Sequence, residues 1–146
     1  MKLFRVGYMV VAVSLLALPA AAHVRVTPAA SKPGATETYS MAVPTEGKVT
    51  TTKVELILPK GMTLVSVDDA GKPYDVKQDP EGRTVITWTT NIEPSYAKIF
   101  KFTARNPAGM AEVSWPAHQY YADGTQADWV DVPGSRRPAS VTSLAP

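Results

Sequence analysis

The residues with the most chemistry to offer stand at one junction, Ala20-Ala21-Ala22-His23-Val24-Arg25-Val26. If the chain is cut after Ala22, histidine becomes its first residue. A terminal histidine offers two nitrogens, the α-amine and ring Nδ1, that can close a chelate on one metal ion. An α-amine titrates near ~7.7–8.0 and an imidazole near ~6.5, so both become neutral donors close to neutral pH. Nitrogen-rich tetragonal sites favour Cu(II) among first-row ions. The plainer alternative is that some residue must come first and that here it is His.

What precedes the junction supports the cut. Met1-Lys2-Leu3-Phe4-Arg5 is basic, Val6 to Leu18 is almost wholly apolar, and Pro19 ends the run before three alanines. Basic start, short apolar core and small-residue exit are the parts of a secretory signal peptide. The run is shorter than the roughly 20 residues of a membrane-spanning helix. The expectation is therefore a signal peptide at 1–22 and a periplasmic or secreted mature chain. Removing 22 from 146 residues leaves 124, enough for one domain with a real core.

Composition narrows the classes. Lys plus Arg is 15 and Asp plus Glu is 13. The leader holds Lys2 and Arg5 and no acid, so the mature chain balances at 13 of each. Arg136-Arg137 is its one basic run, which gives nucleic-acid binding no support. With no Cys, thiolate metal sites and Cys nucleophiles are excluded, and no disulfide helps the core. No second apolar run follows the leader, so no membrane anchor is expected in the mature chain. Met41, Met62 and Met110 are scattered and form no soft Cu(I) cluster.

The elements that must position His23 read as strands. Val24 and Val26 alternate with His23, Arg25 and Thr27. Thr36 to Val43 alternates, with Glu37, Tyr39, Met41 and Val43 on one face. Val54, Leu56 and Leu58 share a face, as do Phe100, Phe102 and Ala104. Strands are also expected at Leu64–Val67, Tyr74–Lys77, Thr84–Thr89 and Ala111–Trp115. Ala117–Tyr121 and Gln126–Val130 flank Asp123-Gly124, the strongest hairpin signal in the chain. No stretch has sustained helical periodicity. Short strands broken by Gly and Pro turns predict an all-β, immunoglobulin-like sandwich over 23–133. Gly, Ser, Arg, Pro and Ala after Pro133 predict a flexible C-terminal tail at 134–146.

Candidate partners for His23 are few. Glu37 and Glu46 are carboxylates that could serve as oxygen ligands, and the residues alone do not choose between them. Glu46 follows Val43-Pro44 in a loop. Glu55 lies between inward Val54 and Leu56 and reads as solvent-facing. Asp68-Asp69 reads as a solvated loop pair. His118, the second histidine, reads as a structural or surface residue. Tyr120, Tyr121 and Trp129 sit on the arms of the expected hairpin. Beside Asp128 and Asp131, Trp129 reads either as a core residue at a strand end, the commoner case, or as an indole at the rim of a polar site; its nitrogen is a donor only and makes a poor direct ligand. No Gly-x-Ser-x-Gly elbow, phosphate loop or His-Glu-x-x-His helix is present, and no catalytic residues are expected.

The order of these pieces resembles a known family. His23-Val24-Arg25-Val26-Thr27-Pro28 is followed by Val43-Pro44-Thr45-Glu46, Thr51-Thr52-Lys53-Val54-Glu55-Leu56 and Leu58-Pro59-Lys60-Gly61. Val85-Ile86-Thr87-Trp88, Phe100-Lys101-Phe102, Gln119-Tyr120-Tyr121-Ala122-Asp123-Gly124 and Trp129 come next. This is similar to the YcnI-like copper-binding domain family of exported bacterial proteins. The resemblance implies an immunoglobulin or fibronectin type III-like sandwich and a Cu(II) site on a single-histidine brace. His23 would supply amine and ring, Glu46 the carboxylate with Glu37 as the alternative, and Trp129 would lie close by. It implies copper trafficking or buffering, with another exported copper chaperone as a partner, and no enzyme. The competing readings are a non-metal adhesion or interaction module and a histidine-brace copper oxidase.

Overall fold

The computed structural model describes residues 23–68 and 71–146. The signal-peptide expectation for 1–22, and Asp69, lie outside the described residues. Twelve strands follow one another: β1 (Arg25–Thr27), β2 (Ala30–Ser31), β3 (Thr36–Pro44), β4 (Thr51–Ile57), β5 (Thr63–Asp68), β6 (Tyr74–Gln78), β7 (Thr84–Ile92), β8 (Ala97–Arg105), β9 (Glu112–Trp115), β10 (Ala117–Tyr121), β11 (Gln126–Trp129) and β12 (Ser140–Leu144). They form a four-stranded sheet β1-β3-β8-β5, a five-stranded sheet β11-β10-β4-β7-β6 and a small sheet β2-β12-β9. The fold is an all-β, immunoglobulin-like sandwich, as the alternation of apolar residues predicts.

That alternation decides what enters the core. Tyr39, Met41 and Val43 of β3 and Phe100, Phe102 and Ala104 of β8 are buried from one sheet. Val54 and Leu56 of β4 and Ile86 and Trp88 of β7 face them from the other. Successive strand residues point to opposite faces, so each strand contributes every second side chain. The Trp88 and Phe100 rings meet across the sheets with centroids 5.1 Å apart. Trp115 from β9 closes one side against Tyr39 at 4.7 Å and Phe102 at 5.6 Å.

The C-terminal segment corrects the expectation of a flexible tail at 134–146. β12 pairs antiparallel with β9 and parallel with β2. Ala139, Thr142 and Leu144 are buried, and Thr142 Oγ1 accepts a 2.9 Å hydrogen bond from Trp115 Nε1. The Gly-Ser-Arg-Arg-Pro stretch signals a loop correctly, but the strand after it is held by contacts distant in sequence. Ser140 Oγ, for example, accepts from Val26 N at 3.0 Å, across 114 positions.

Candidate metal centre at one end of the sandwich

Strand register brings the candidate residues together. β1 runs antiparallel to β3 with Arg25 opposite Ala42 and Val26 opposite Met41. Continued by two residues, this register sets His23 beside Pro44, at the exit of β3 and two residues before Glu46. On the other sheet, β10 and β11 form the expected hairpin, with Ala117 opposite Trp129. Gly124 turns it with a φ of 83°, a left-handed conformation that glycine adopts without a Cβ clash. Asp123 Oδ1 accepts from Thr125 N at 3.0 Å and from Thr125 Oγ1 at 2.6 Å, locking the turn. The result is a ring contact between the sheets: the His23 and Trp129 centroids lie 5.6 Å apart, tilted by 55°.

Trp129 is 6% exposed, so the indole is a wall of the sandwich whose edge reaches the surface. Its Nε1 donates to Gln119 Oε1 at 3.1 Å. A cleft of about 180 Å³ opens beside it, lined by Pro44, Glu46, Gln119, Tyr121, Trp129 and Arg137 among others. Burial pushes the Tyr121 phenol up; the nearby Arg137 guanidinium opposes the rise and the Glu46 carboxylate adds to it. Tyr121, Glu46 and Arg137 therefore share one electrostatic neighbourhood at this end of the molecule.

The structure separates the two candidate carboxylates. Glu46 lines the cleft next to Trp129. Glu37 sits near the start of β3, seven residues before Pro44, or about 23 Å away along an extended strand. Its Oε2 accepts from Ser31 Oγ at 2.8 Å, inside a cluster that also holds Asn106. His118 faces outward from β10, where its Nδ1 lies 2.6 Å from Asp128 Oδ1. Among the described residues no three His, Cys, Asp or Glu side chains converge as a metal cage.

Gln119 is the site residue that sequence reasoning passed over. It is 1% exposed and lies directly behind the indole. Its signal was available: in Ala117-His118-Gln119 the inward positions are 117 and 119, and an amide at an inward position needs partners.

Fold and site define a β-sandwich with a histidine, an indole and a carboxylate gathered at one end. Comparison with known proteins gives the family. The model of the family described as "Domain of unknown function (DUF1775)" matches residues 23–146. The chain belongs to that family, which is the YcnI-like family its sequence resembles. The copper-binding protein CutI of Bacillus subtilis (strain 168) is 35% identical over 130 residues, 86% of this chain. The chain spans about 64% of that relative's length. Among solved structures, an uncharacterized Nocardia farcinica protein with an immunoglobulin-like fold aligns with a TM-score of 0.71 at 22% identity, over 85% of this chain and 99% of that one. A cohesin module from a Clostridium perfringens family 33 glycoside hydrolase aligns at 0.55 and 12% identity, over 84% and 95%. Both likenesses concern the fold.

Proposed function

We propose that the mature chain is an exported protein, periplasmic or secreted, that binds one Cu(II) ion at His23 and serves in copper trafficking or buffering. The observation that carries this reading is the His23–Trp129 ring contact at the end of the sandwich where β3 delivers Glu46. A relative named for copper binding supports it. His23 offers the α-amine and the ring, which close one chelate; Glu46 offers the anionic oxygen; Trp129 excludes water on one side and does not ligate. The donors are hard to borderline nitrogen and oxygen, the set that suits Cu(II) and not Cu(I). Binding is the whole task, with copper as cargo handed to or from another exported copper chaperone, and the chain is not an enzyme.

The α-amine is the sharpest point of test. An amide nitrogen at His23, left by an uncut leader or a tag residue, has its lone pair delocalised into the carbonyl and none available at neutral pH. Protein beginning at His23 should bind one Cu(II), read by native mass spectrometry. Protein with one added residue, or His23→Ala, should lose more than about 100-fold in affinity, beyond the 10–100-fold of residues that only support a ligand. Protons compete for both nitrogens, so binding should weaken as pH falls. Cu(II) should quench indole emission, and Trp129→Phe, not Trp88→Phe, should remove most of that quenching. Equal affinity for native and extended termini overturns the chelate. Absence of tight Cu(II) binding favours an interaction module, and substrate oxidation with copper and reductant favours an oxidase.

A further inference from the structure

We propose that Gln119 is a positioning residue that sets the indole of Trp129 and the turn carrying Glu46 relative to each other; this rests on the copper site proposed above. Three hydrogen bonds converge on its buried amide. Oε1 accepts from Trp129 Nε1 at 3.1 Å. Nε2 donates to Pro44 O at 2.9 Å and to Thr51 Oγ1 at 2.7 Å.

The chemistry of the partners fixes the amide's orientation. An indole N–H can only donate and a carbonyl can only accept, so oxygen must face Trp129 and nitrogen must face Pro44. The chain continues with a single direction. Thr45 Oγ1 donates to Ile92 O at 2.9 Å, so the 2.7 Å contact between the Thr45 and Thr51 hydroxyls has Thr51 as donor. Hydrogen-bond donation thus runs from Gln119 to Thr51, from Thr51 to Thr45 and from Thr45 to the Ile92 carbonyl. Thr45 is pinned further through its backbone: its N donates to Tyr96 O at 2.9 Å and its O accepts from Ser95 N at 3.0 Å. Glu46 is the next residue. One buried amide therefore links the aromatic wall on β11 to the root of the turn that bears the carboxylate, across the gap between the two sheets. A carboxylate at this position would set an acceptor against Pro44 O, and a methionine would satisfy none of the three partners.

Trp115 supplies the control. Its Nε1 donates to a buried hydroxyl, Thr142 Oγ1, at 2.9 Å, on a sheet that contributes no site residue. Gln119→Met and Thr142→Val each leave an indole donor without its partner, so both should lower thermal stability.

Only Gln119→Met should alter the copper site. With the native His23 terminus, its Cu(II) affinity should fall by about 10-fold or more, the scale of groups that orient a metal's ligands. The electron paramagnetic resonance hyperfine pattern and the indole quenching per bound Cu(II) should change with it. Wild-type values of all three in a folded Gln119→Met overturn the proposal, as does an equal change in Thr142→Val. If Gln119→Met does not fold, Thr51→Val cuts the relay and leaves the indole bond in place. Its affinity should then fall with quenching per bound ion intact, and unchanged affinity overturns the proposal. The unaltered protein is read first. If it does not bind Cu(II), both the site and this role fall; if it binds and the variants match it, only this role falls.

Discussion

One glutamate stands near the start of β3 and another two residues past its end, and the two ends use their buried polar groups differently. At the start of the strand, Glu37 accepts from Ser31 Oγ, Ser31 Oγ accepts from Asn106 Nδ2 at 3.0 Å, and Asn106 Oδ1 accepts from the Tyr39 hydroxyl at 2.6 Å. That cluster absorbs the carboxylate itself and ties β2, β3 and the segment after β8. At the far end, the cluster of Gln119, Thr51 and Thr45 grips the backbone on either side of the strand exit. Glu46, the residue after Thr45, lines the cleft beside Trp129. One network holds the acid Glu37 itself; the other holds the backbone and side chain of Thr45, the residue before Glu46.

Between the two ends of β3, the largest effect should come from altering these two acids. Glu46→Gln keeps the side-chain shape and removes the anionic oxygen, and should weaken Cu(II) binding by about 100-fold, the top of the range for residues that support a metal's ligands. Glu37→Gln should leave Cu(II) affinity at the wild-type value. Competition titration against a chelator of known affinity reads both. A loss in Glu37→Gln equal to that in Glu46→Gln would mean that the ends of β3 do not divide the work in this way.

Next in size is a stability effect without a copper effect. Asn106→Ala removes the hub of the Glu37 cluster and leaves the buried Tyr39 hydroxyl without its acceptor. Leaving a buried donor unsatisfied costs about 1–3 kcal/mol. Urea unfolding should show that loss, with Cu(II) affinity of the folded protein unchanged. A copper effect here would show that the two clusters are coupled through β3.

How far this contrast could be read from the sequence depends on range. His23 stood out as a candidate because a histidine at a chain start would carry its own second donor, a property of one residue. Trp129 was legible because Asp123-Gly124 fixes a hairpin, and a hairpin fixes which arm positions meet. The inward sets of β1, β3, β4 and β8 followed from period two. The choice of Glu46 over Glu37 by position needed the β1–β3 register, which joins residues nearly twenty positions apart. Gln119 looked like a polar residue in an aromatic run, because its partners come from β3, β4 and β11. β12 was hidden for a similar reason: its pairing with β2 spans more than a hundred residues, and the loop chemistry before it describes only the loop.

The smallest effect sharpens the same contrast within one hairpin. β10 and β11 send Gln119 and Trp129 inward, and the residues just before them, His118 and Asp128, outward as a pair at 2.6 Å. The His118 hydrogen bond holds the Asp128 carboxyl below its ordinary range, with Gln126 adding to it and burial opposing. A carboxylate whose folded value is depressed contributes stability above its unfolded value, near 3.9, and loses it as pH falls through the folded value. The Asp128 side chain is 47% exposed, so solvent screens the pair and the contribution is at most about 1 kcal/mol. Asp128→Asn should therefore be slightly less stable than wild type at neutral pH, with the difference closing as the solution is acidified below that carboxylate range. His118→Gln should leave Cu(II) affinity and quenching at their wild-type values, because His118 lies on the face of the hairpin turned away from Gln119. A copper phenotype in His118→Gln, or a stability difference that persists in acid, would show that the outer face of β10–β11 is not separate from the site its inner face builds.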